Sequence, residues 1–224
     1  MIDKFVRSAA EALAGVKDGA TVLVGGFGAV GQPAVLIDAL IEQGASDLVI
    51  VSNNAGTGRT GLARLLELRR VRKIVCSFPR TSDPVVFEEL FQAGLIELEI
   101  VPQGTLAERL RAAGAGIPAF YTQTAYGTRL AEGKETRAFD GRHYVMERAL
   151  PGDVALVEAW RADRWGNLTY RESGRNFNPV MAAAATLTIV QTQHVSELGA
   201  LDPEAIVTPG LYVDRVLHVP YGDP

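Results

Sequence analysis

The sequence predicts an α/β fold: an open, mostly parallel β-sheet with helices on both faces, and an irregular, β-rich second half. Three observations support this prediction. Short apolar runs alternate with segments of helical periodicity through the first half of the chain. Several of these runs are apolar throughout, which is typical of strands buried on both faces. Polar or glycine-rich loops separate the two kinds of segment, and an alternating strand–helix order favours a parallel sheet.

Helical periodicity and apolar runs divide the first half into five helices and four strands. In the first predicted helix, for example, Phe5, Ala9 and Leu13 recur on one side. Glu97 and Glu99 alternate with apolar residues in the fourth strand, which is therefore expected to be less buried. The predicted helices are Lys4–Ala14, Pro33–Glu42, Gly61–Leu68, Pro84–Ala93 and a final helix from an N-cap at Thr105 to Ala112. The predicted strands are Thr21–Val24, Leu48–Val51, Val71–Cys76 and Leu95–Val101.

The second half of the chain is less regular. Residues Ala113–Thr128 are rich in glycine and aromatic residues and are expected to form an irregular lid or an interface segment. Thr136–Met146 is predicted to form a hairpin around Asp140-Gly141. Because no stretch resembles a flexible linker, the whole chain, 1–224, is predicted to form one domain. Further strands are expected at Asp153–Val157, Leu187–Val190 and Tyr212–Val219.

Composition and charge restrict the classes of function. The formal net charge of −4 disfavours nucleic-acid binding, which needs a basic surface. The single cysteine, Cys76, excludes an internal disulfide and a cysteine metal cluster, and the three histidines lack metal-ligand spacing. The chain has no long apolar run of a membrane span or a signal peptide. We therefore expect a cytoplasmic protein without a bound metal.

A glycine-rich loop follows the first predicted strand. Gly26, Gly28 and Gly31 have the spacing of a dinucleotide-binding loop. No carboxylate stands about 20 residues later to hold a ribose, and Pro33 places the start of the next helix near Gln32. Both features argue against NAD. The loop instead suits an anionic or acyl group at a helix N-terminus, or it is a tight turn without a ligand.

Longer motifs occur in a fixed order along almost the whole chain. They read DGATVLVGGFGAVGQP (18–33), SNNAG (52–56), VPQGTLAER (101–109), GAGIPAFY (114–121), GNLTY (166–170) and RNFNP (175–179). Together they resemble the family I coenzyme A transferases, in particular the alpha (A) subunits of 3-oxoacid CoA-transferases. The segment around Cys76-Ser77-Phe78-Pro79-Arg80 most resembles the 3-oxoadipate enzymes of aromatic catabolism. The resemblance implies the fold that these enzymes share with sugar-phosphate isomerases.

The resemblance also implies a reaction and a partner. Family members move CoA from succinyl-CoA to a 3-oxoacid, here 3-oxoadipate or, as the next choice, acetoacetate. Their nucleophilic glutamate lies on the beta (B) subunit in a Ser-Glu-Asn-Gly string. This chain has no such string, because Ser82 precedes Asp83 and Ser196-Glu197 precedes Leu198. We therefore expect a partner beta subunit in a heterodimer or heterotetramer, coenzyme A as a substrate, and no permanently bound cofactor.

The motifs identify which residues of this chain match the site residues of the family. The resemblance implies that Gln103 contributes its side-chain amide to the oxyanion hole. The glycine-loop residues matching the stretch assigned to CoA are Val24, Gly25, Gly26, Phe27, Gly28, Ala29 and Val30. The residues expected at the acyl substrate are Ser52, Asn53, Asn54 and Arg80.

Other interpretations of these residues stay open. Gln103 could be a structural amide at a strand end, and the Ser52–Asn54 amides could cap a helix. Gln123, Ala125 and Gly174 depart from the family pattern, which leaves the shape of the acyl pocket open. The alternative function is a non-catalytic protein of the same fold that binds acyl-CoA or a sugar phosphate.

Overall fold

The computed structural model describes residues 2–220; Met1 and residues 221–224 of the predicted domain lie outside the described residues. The strands are β1 (Phe5–Val6), β2 (Thr21–Val24), β3 (Leu48–Val51), β4 (Val71–Cys76), β5 (Glu97–Ile100), β6 (Ala119–Thr122), β7 (Thr136–Phe139), β8 (Arg142–Arg148), β9 (Gly152–Ala162), β10 (Leu168–Thr169), β11 (Ala185–Val195) and β12 (Arg215–His218). The helices are α1 (Ala9–Ala12), α2 (Ala34–Gln43), α3 (Gly61–Glu67), α4 (Val85–Gln92), α5 (Gln103–Gly114) and α6 (Asn178–Ala182). Short 3₁₀ turns lie between some of these elements.

The large sheet is open and mostly parallel, which confirms the predicted fold class. Its strand order is β1-β12-β11-β9-β2-β3-β4-β5, and β10 pairs with β9 outside that order. Every pairing is parallel except that of β10 with β9. The chain runs outward from β2 to β5 and then returns to β9 on the other side of β2. The strand order therefore reverses between β2 and β9, where α/β proteins commonly bind ligands.

Helices cover both faces of this sheet, as predicted. On one face α1 to α4 pack on the sheet, and Leu36, Ile37 and Leu40 of α2 belong to that core together with Val22 and Ile50. On the other face α5 and α6 pack through residues that include Leu106, Leu110 and Met181. Both faces of the parallel sheet must be covered, because successive residues of a strand point to opposite faces and the residues on both faces are apolar.

A second, antiparallel sheet has the order β6-β8-β7. It confirms the predicted hairpin, since β7 and β8 are joined through Asp140 (φ 49°) and Gly141 (φ 74°), the left-handed pair that a two-residue turn requires. The segment Ala113–Thr128, expected to be irregular, is so only in part. Helix α5 continues to Gly114, and β6 lies at Ala119–Thr122.

The N-terminal segment is where the sequence prediction was wrong. The predicted helix Lys4–Ala14 is a two-residue strand, β1, followed by the one-turn helix α1. Phe5 and Val6 pair in parallel with Val216 and Leu217 of β12. The hydroxyl of Ser8 accepts a hydrogen bond from the Glu11 amide and caps α1 at its start. A strand pairing with residues from the far end of the chain overrides the local helical periodicity.

Three other boundaries differ from prediction in ways that matter for the site. Strands β9 and β11 are both eleven residues long, because each continues through polar residues such as Glu158 and Gln191 beyond its apolar run. Helix α5 begins at Gln103 and not at an N-cap on Thr105, so Gln103 lies in the first helical turn. The last strand, predicted at Tyr212–Val219, is confined to Arg215–His218.

Candidate functional site

The carboxyl ends of the parallel strands bring the predicted site residues to one edge of the sheet. The glycine loop follows β2, the Ser52–Asn54 loop follows β3, the loop that carries Arg80 follows β4, and α5 starts shortly after β5. Ligands of open α/β sheets bind outside this edge. The predicted site residues therefore lie at one edge of the sheet, because each of their loops follows a parallel strand.

The glycine loop ends in a tight turn that projects two apolar side chains. Phe27 and Val30 exchange backbone hydrogen bonds of 3.0 and 3.2 Å around Gly28-Ala29. About half of each side chain is exposed, 51% for Phe27 and 50% for Val30. Large apolar groups at a loop tip beside a site are suited to contact a substrate or another protein surface.

Two asparagines of the RNFNP motif hold the base of this loop. Asn178 accepts a hydrogen bond from the Glu158 amide (2.9 Å) and donates one to the Gly31 carbonyl (2.9 Å). Asn176 accepts from the Gly26 amide (3.0 Å) and donates to the Val30 carbonyl (3.0 Å). Asn178 is completely buried. The motif therefore has a structural role that the sequence did not reveal, although two asparagines around one phenylalanine at a helix start were a visible signal.

The N-terminus of α2 is capped from within the chain. Pro33 is the N-cap residue and α2 begins at Ala34, later than the predicted start near Gln32. The Gln191 side-chain oxygen accepts from the amides of Val35 (3.1 Å) and Leu36 (3.3 Å). These amides were expected to face an anionic or acyl group. They are already hydrogen-bonded, which leaves the loop tip and not the helix end for contacts with a ligand.

The side chains of Gln103 and Asn53 are in direct contact. Nε2 of Gln103 donates a 2.7 Å hydrogen bond to Oδ1 of Asn53. Gln103 is exposed at the start of α5, whereas Asn53 is buried at the end of β3. A side-chain amide nitrogen carries two hydrogens. Asn53 can therefore fix the orientation of the Gln103 amide, while the second N–H of Gln103 stays available to a substrate.

Ser52 and Asn54 are buried on either side of Asn53 in the same loop. Oδ1 of Asn54 accepts a 2.8 Å hydrogen bond from the Gly56 amide, so this side chain closes a local turn. It does not cap a helix, since Thr60 is the N-cap of the following helix, α3. Among residues 2–220, Nδ2 of Asn54 has no hydrogen-bond partner.

Arg80 is the most exposed of the predicted substrate-binding residues. Its side chain is 71% exposed and forms an ion pair of 3.0 Å with Glu88 of α4. Within the described part of the chain, no hydrogen bond joins Arg80 to Gln103 or to Asn53. The structure therefore places Arg80 at the same edge of the sheet but does not connect it with the amide pair.

A cavity of about 790 Å³ lies beside the glycine loop, and the sequence reasoning missed it. Its polar wall includes Glu158 and Trp160 of β9 and Gln191, Gln193 and His194 of β11. Gln193 donates a 2.7 Å hydrogen bond to the Glu158 carboxyl. Burial raises the pKa of that carboxyl, and the bond from Gln193 partly opposes the rise. The signal in the sequence was a run of polar residues at the ends of two otherwise apolar strands.

The thiol of Cys76 is unsuited to nucleophilic chemistry. It is fully buried at the end of β4, and burial raises its pKa to about 12. Residues 2–220 contain no grouping of three or more His, Cys, Asp or Glu side chains that could hold a metal ion. Over the same residues, no helix combines the length and apolar character needed to cross a membrane.

Comparison with solved structures finds other proteins with this fold. An acyl-CoA transferase from Escherichia coli O157:H7, solved as a thioester complex with CoA, superposes with a TM-score of 0.88 at 24% identity. The match covers 99% of this chain and 50% of that one, so the chain spans half the length of that enzyme. Glutaconate coenzyme A-transferase from Acidaminococcus fermentans gives a TM-score of 0.85 at 21% identity, covering 97% of this chain and 76% of the other. These likenesses establish the fold.

Relatives found by sequence have higher identity and match over most of the length of both chains. The chain is 60% identical over 219 residues to the A subunit of 3-oxoadipate CoA-transferase from Pseudomonas putida, covering 98% of this chain and 95% of the relative. It is 54% identical over 215 residues to the A subunit of succinyl-CoA:3-ketoacid coenzyme A transferase from Xanthomonas campestris pv. campestris strain B100, covering 96% and 88%. Residues 6–218 match the family described as coenzyme A transferase. The chain belongs to the coenzyme A transferase family.

Proposed function

We propose that this chain is the alpha subunit of a 3-oxoacid CoA-transferase, with succinyl-CoA as donor and 3-oxoadipate as the first-choice acceptor. Relatives named for 3-oxoadipate CoA-transferase are 60% and 58% identical, against 54% for one named for succinyl-CoA and 3-ketoacids. Acetoacetate is the second-choice acceptor. A cytoplasmic location is part of the proposal, because the one buried free thiol, Cys76, needs no oxidising compartment.

In the proposed reaction a glutamate of the partner beta subunit is the nucleophile. Its carboxylate attacks the thioester carbonyl of succinyl-CoA, and CoA leaves as a thiolate, which gives an anhydride. The thiolate then attacks the glutamyl carbonyl, which releases succinate and leaves a glutamyl-CoA thioester. The carboxylate of the 3-oxoacid then attacks the glutamyl-CoA thioester, which releases CoA thiolate and gives a second anhydride. The thiolate attacks the 3-oxoacyl carbonyl of this anhydride and displaces the glutamate. The products are 3-oxoacyl-CoA and the free glutamate, and no resident cofactor takes part.

The main structural support for this proposal is the hydrogen-bonded pair of Gln103 and Asn53. Each carbonyl attack produces an oxyanion, and a neutral amide N–H stabilises it without repelling the incoming carboxylate. Asn53 holds one N–H of Gln103 at 2.7 Å and leaves the other for the oxyanion. Such pre-orientation matters because a donor that is already in place needs no reorganisation during the reaction.

The remaining predicted residues have supporting roles in the same proposal. The loop Val24–Val30 is proposed to face the CoA thioester or the seam with the beta subunit, through the exposed tip of Phe27 and Val30. Ser52 and Asn54 are proposed to shape the acyl pocket around Asn53. Arg80 is proposed to bind the distal carboxylate of a dicarboxylic acceptor, for which it would exchange its exposed ion pair with Glu88.

The division of labour between two subunits can be tested directly. The chain is purified alone and with the chain that accompanies it in its native cell, and both samples are assayed for CoA exchange between succinyl-CoA and either acceptor. We expect turnover only in the complex. Borohydride applied during turnover should then modify the partner and leave the mass of this chain unchanged. Turnover by this chain alone, or a label on it, would contradict the proposal, and ligand binding without turnover in either sample would favour the non-catalytic alternative.

A further inference from the structure

The cavity beside Glu158, hereafter the Glu158 cavity, is lined by polar groups whose hydrogen-bonding capacity is not used. Among residues 2–220, the buried atoms Oε1 of Gln193 and Nε2 of His194 have no hydrogen-bond partner. Gln191 is only 6% exposed; its oxygen caps α2, while the structure gives its Nε2 no acceptor in the described chain. Buried polar groups are rarely left unpaired, so the unpaired groups around this cavity are suited to hydrogen-bond a ligand.

The Glu158 cavity lies on the opposite face of the sheet from the helix that carries Gln103. Leu156 of β9 packs in the core under α1 to α4, and Glu158 follows two residues later on the same face. Helix α5 packs on the other face through Leu106 and Leu110. Residues Ala29 to Gln32 of the glycine loop form one wall of the cavity. The cavity therefore has its own chemistry and is not an extension of the Gln103–Asn53 pair.

The polar groups define what kind of ligand the cavity can hold. The second oxygen of Glu158 and Oε1 of Gln193 are acceptors, and Nε2 of Gln191 is a donor. Glu158 and Glu172 also line the cavity, and the one arginine there, Arg171, lies over the ring of Trp160. An anionic ligand, such as a carboxylate or a phosphate, would be repelled by Glu158 and Glu172, and no unengaged cation among residues 2–220 lines the cavity to offset this repulsion. Ala34, Ala159 and Trp160 supply an apolar wall.

We propose that the Glu158 cavity binds a neutral group that presents an N–H donor beside an acceptor, as a secondary amide or the amino edge of a purine does. Its N–H groups face Glu158 and Gln193, and its acceptor faces the amide of Gln191. The thioester substrate carries both chemistries, in the amides of its pantetheine arm and in its adenine. Assigning the occupant to CoA rests on the proposed function, whereas the binding chemistry of the cavity does not.

A single-tryptophan protein allows the cavity to be observed directly. The chain has two tryptophans, and Trp160 lines the cavity while Trp165 does not. In a Trp165→Phe background, the fluorescence of Trp160 is followed as pantetheine, adenosine or succinate is added to the purified full chain. We expect a saturable change with pantetheine or with adenosine, which identifies the source of the group, and none with succinate. No saturable change with either probe, or an equal response to succinate, would overturn the proposal.

One glutamate in the cavity and one outside it provide a matched pair of variants. Glu158→Gln replaces an acceptor with a donor and should weaken binding roughly tenfold. Glu197→Gln changes an exposed carboxylate that does not line the cavity and should leave affinity unchanged, with thermal melting confirming that both variants are folded. Equal affinities of the two variants would contradict the role of Glu158. Gln103→Ala should keep the fluorescence response and lose turnover in the complex, so failure of the proposed function and failure of this inference are distinguishable.

Discussion

The side chain of Asn178 occupies the space that a Cβ atom on Gly25 would fill. An ideal Cβ built on Gly25 lies 1.9 Å from Oδ1 of Asn178. The same oxygen accepts the hydrogen bond of the Glu158 amide, and the amide nitrogen of Asn178 donates to the Gly31 carbonyl. The absence of a side chain at Gly25 is therefore a condition for joining the glycine loop to β9 and to α6.

Gly25→Ala is expected to lower the free energy of unfolding by about 2–4 kcal/mol, because the methyl group displaces Asn178 and breaks its hydrogen bonds. Urea denaturation measures the loss. Gly28→Ala is the control: Gly28 has a φ of 62° but no atom within 4 Å of a built Cβ, so only backbone strain of about 1–2 kcal/mol is expected. In an Asn178→Ala background, Gly25→Ala should cost less than in the wild type. An undiminished cost there would show that Asn178 is not the obstacle.

Gln103→Ala is expected to lower kcat of the assembled enzyme about 100- to 1000-fold, as for the removal of one oxyanion donor. Asn53→Ala should lower kcat by about tenfold, and the double variant should lose less than the product of the two, since Asn53 acts only by orienting the side-chain amide of Gln103. Steady-state kinetics measure these ratios. Gln92→Ala, at the exposed end of α4, is the control with unchanged kcat. Wild-type kcat in Gln103→Ala would remove the residue from the mechanism.

The Cys76 thiol is expected to lower stability as the pH rises. Its pKa is about 12 in the folded chain, against 9.0 for an ordinary thiol, because it is buried. The folded protein therefore keeps a proton that the unfolded chain releases, and unfolding becomes easier by about 1.4 kcal/mol per pH unit between the two pKa values. Urea denaturation of wild type and Cys76→Ala from about pH 8 to about pH 10.5, a range that begins below the unfolded pKa, isolates this contribution. A difference between the two proteins that does not change with pH would contradict the assignment.

The ion pair of Lys134 with Glu147 is expected to matter more than the pairs on the surface. Glu147 is buried and its carboxylate lies 2.6 Å from Nζ of Lys134. Lys134→Met should lower the free energy of unfolding by about 2–3 kcal/mol, because it leaves a buried charge without a partner. A second substitution, Glu147→Gln, should restore part of the loss. Glu108→Gln, which breaks an exposed pair with Arg111, should change stability by less than about 0.5 kcal/mol.

The regular first half of the fold followed from the sequence because its strands are defined by local patterns. Leu48–Val51 and Val71–Cys76 were predicted with the bounds that the structure gives. The order of these strands then placed the loops of Asn53 and Gln103 at one edge of the sheet. Their direct contact could not be predicted, because it depends on α5 beginning at Gln103 and on the side-chain geometry at that point.

Several features that the sequence did not reveal depend on pairings between distant residues. The helical periodicity from Lys4 gave no sign that Phe5 and Val6 would pair with β12. In the same way, Gln191 caps a helix that lies 155 positions earlier in the chain, and Asn178 supports a loop 147 positions earlier. Such contacts follow from the return of the chain across the sheet, which local patterns do not encode.

The position of β9 has a consequence for how the protein is synthesised. Val22, Leu23 and Val24 of β2 pair with Val154, Ala155 and Leu156. A ribosome that has translated as far as β8 has therefore completed β2 to β5 but not the neighbour that covers the other edge of β2. Until translation reaches β9, this edge exposes unpaired backbone between apolar side chains, which is a template for association with other chains. The nascent protein therefore exposes a strand edge that favours association with other chains midway through its own translation.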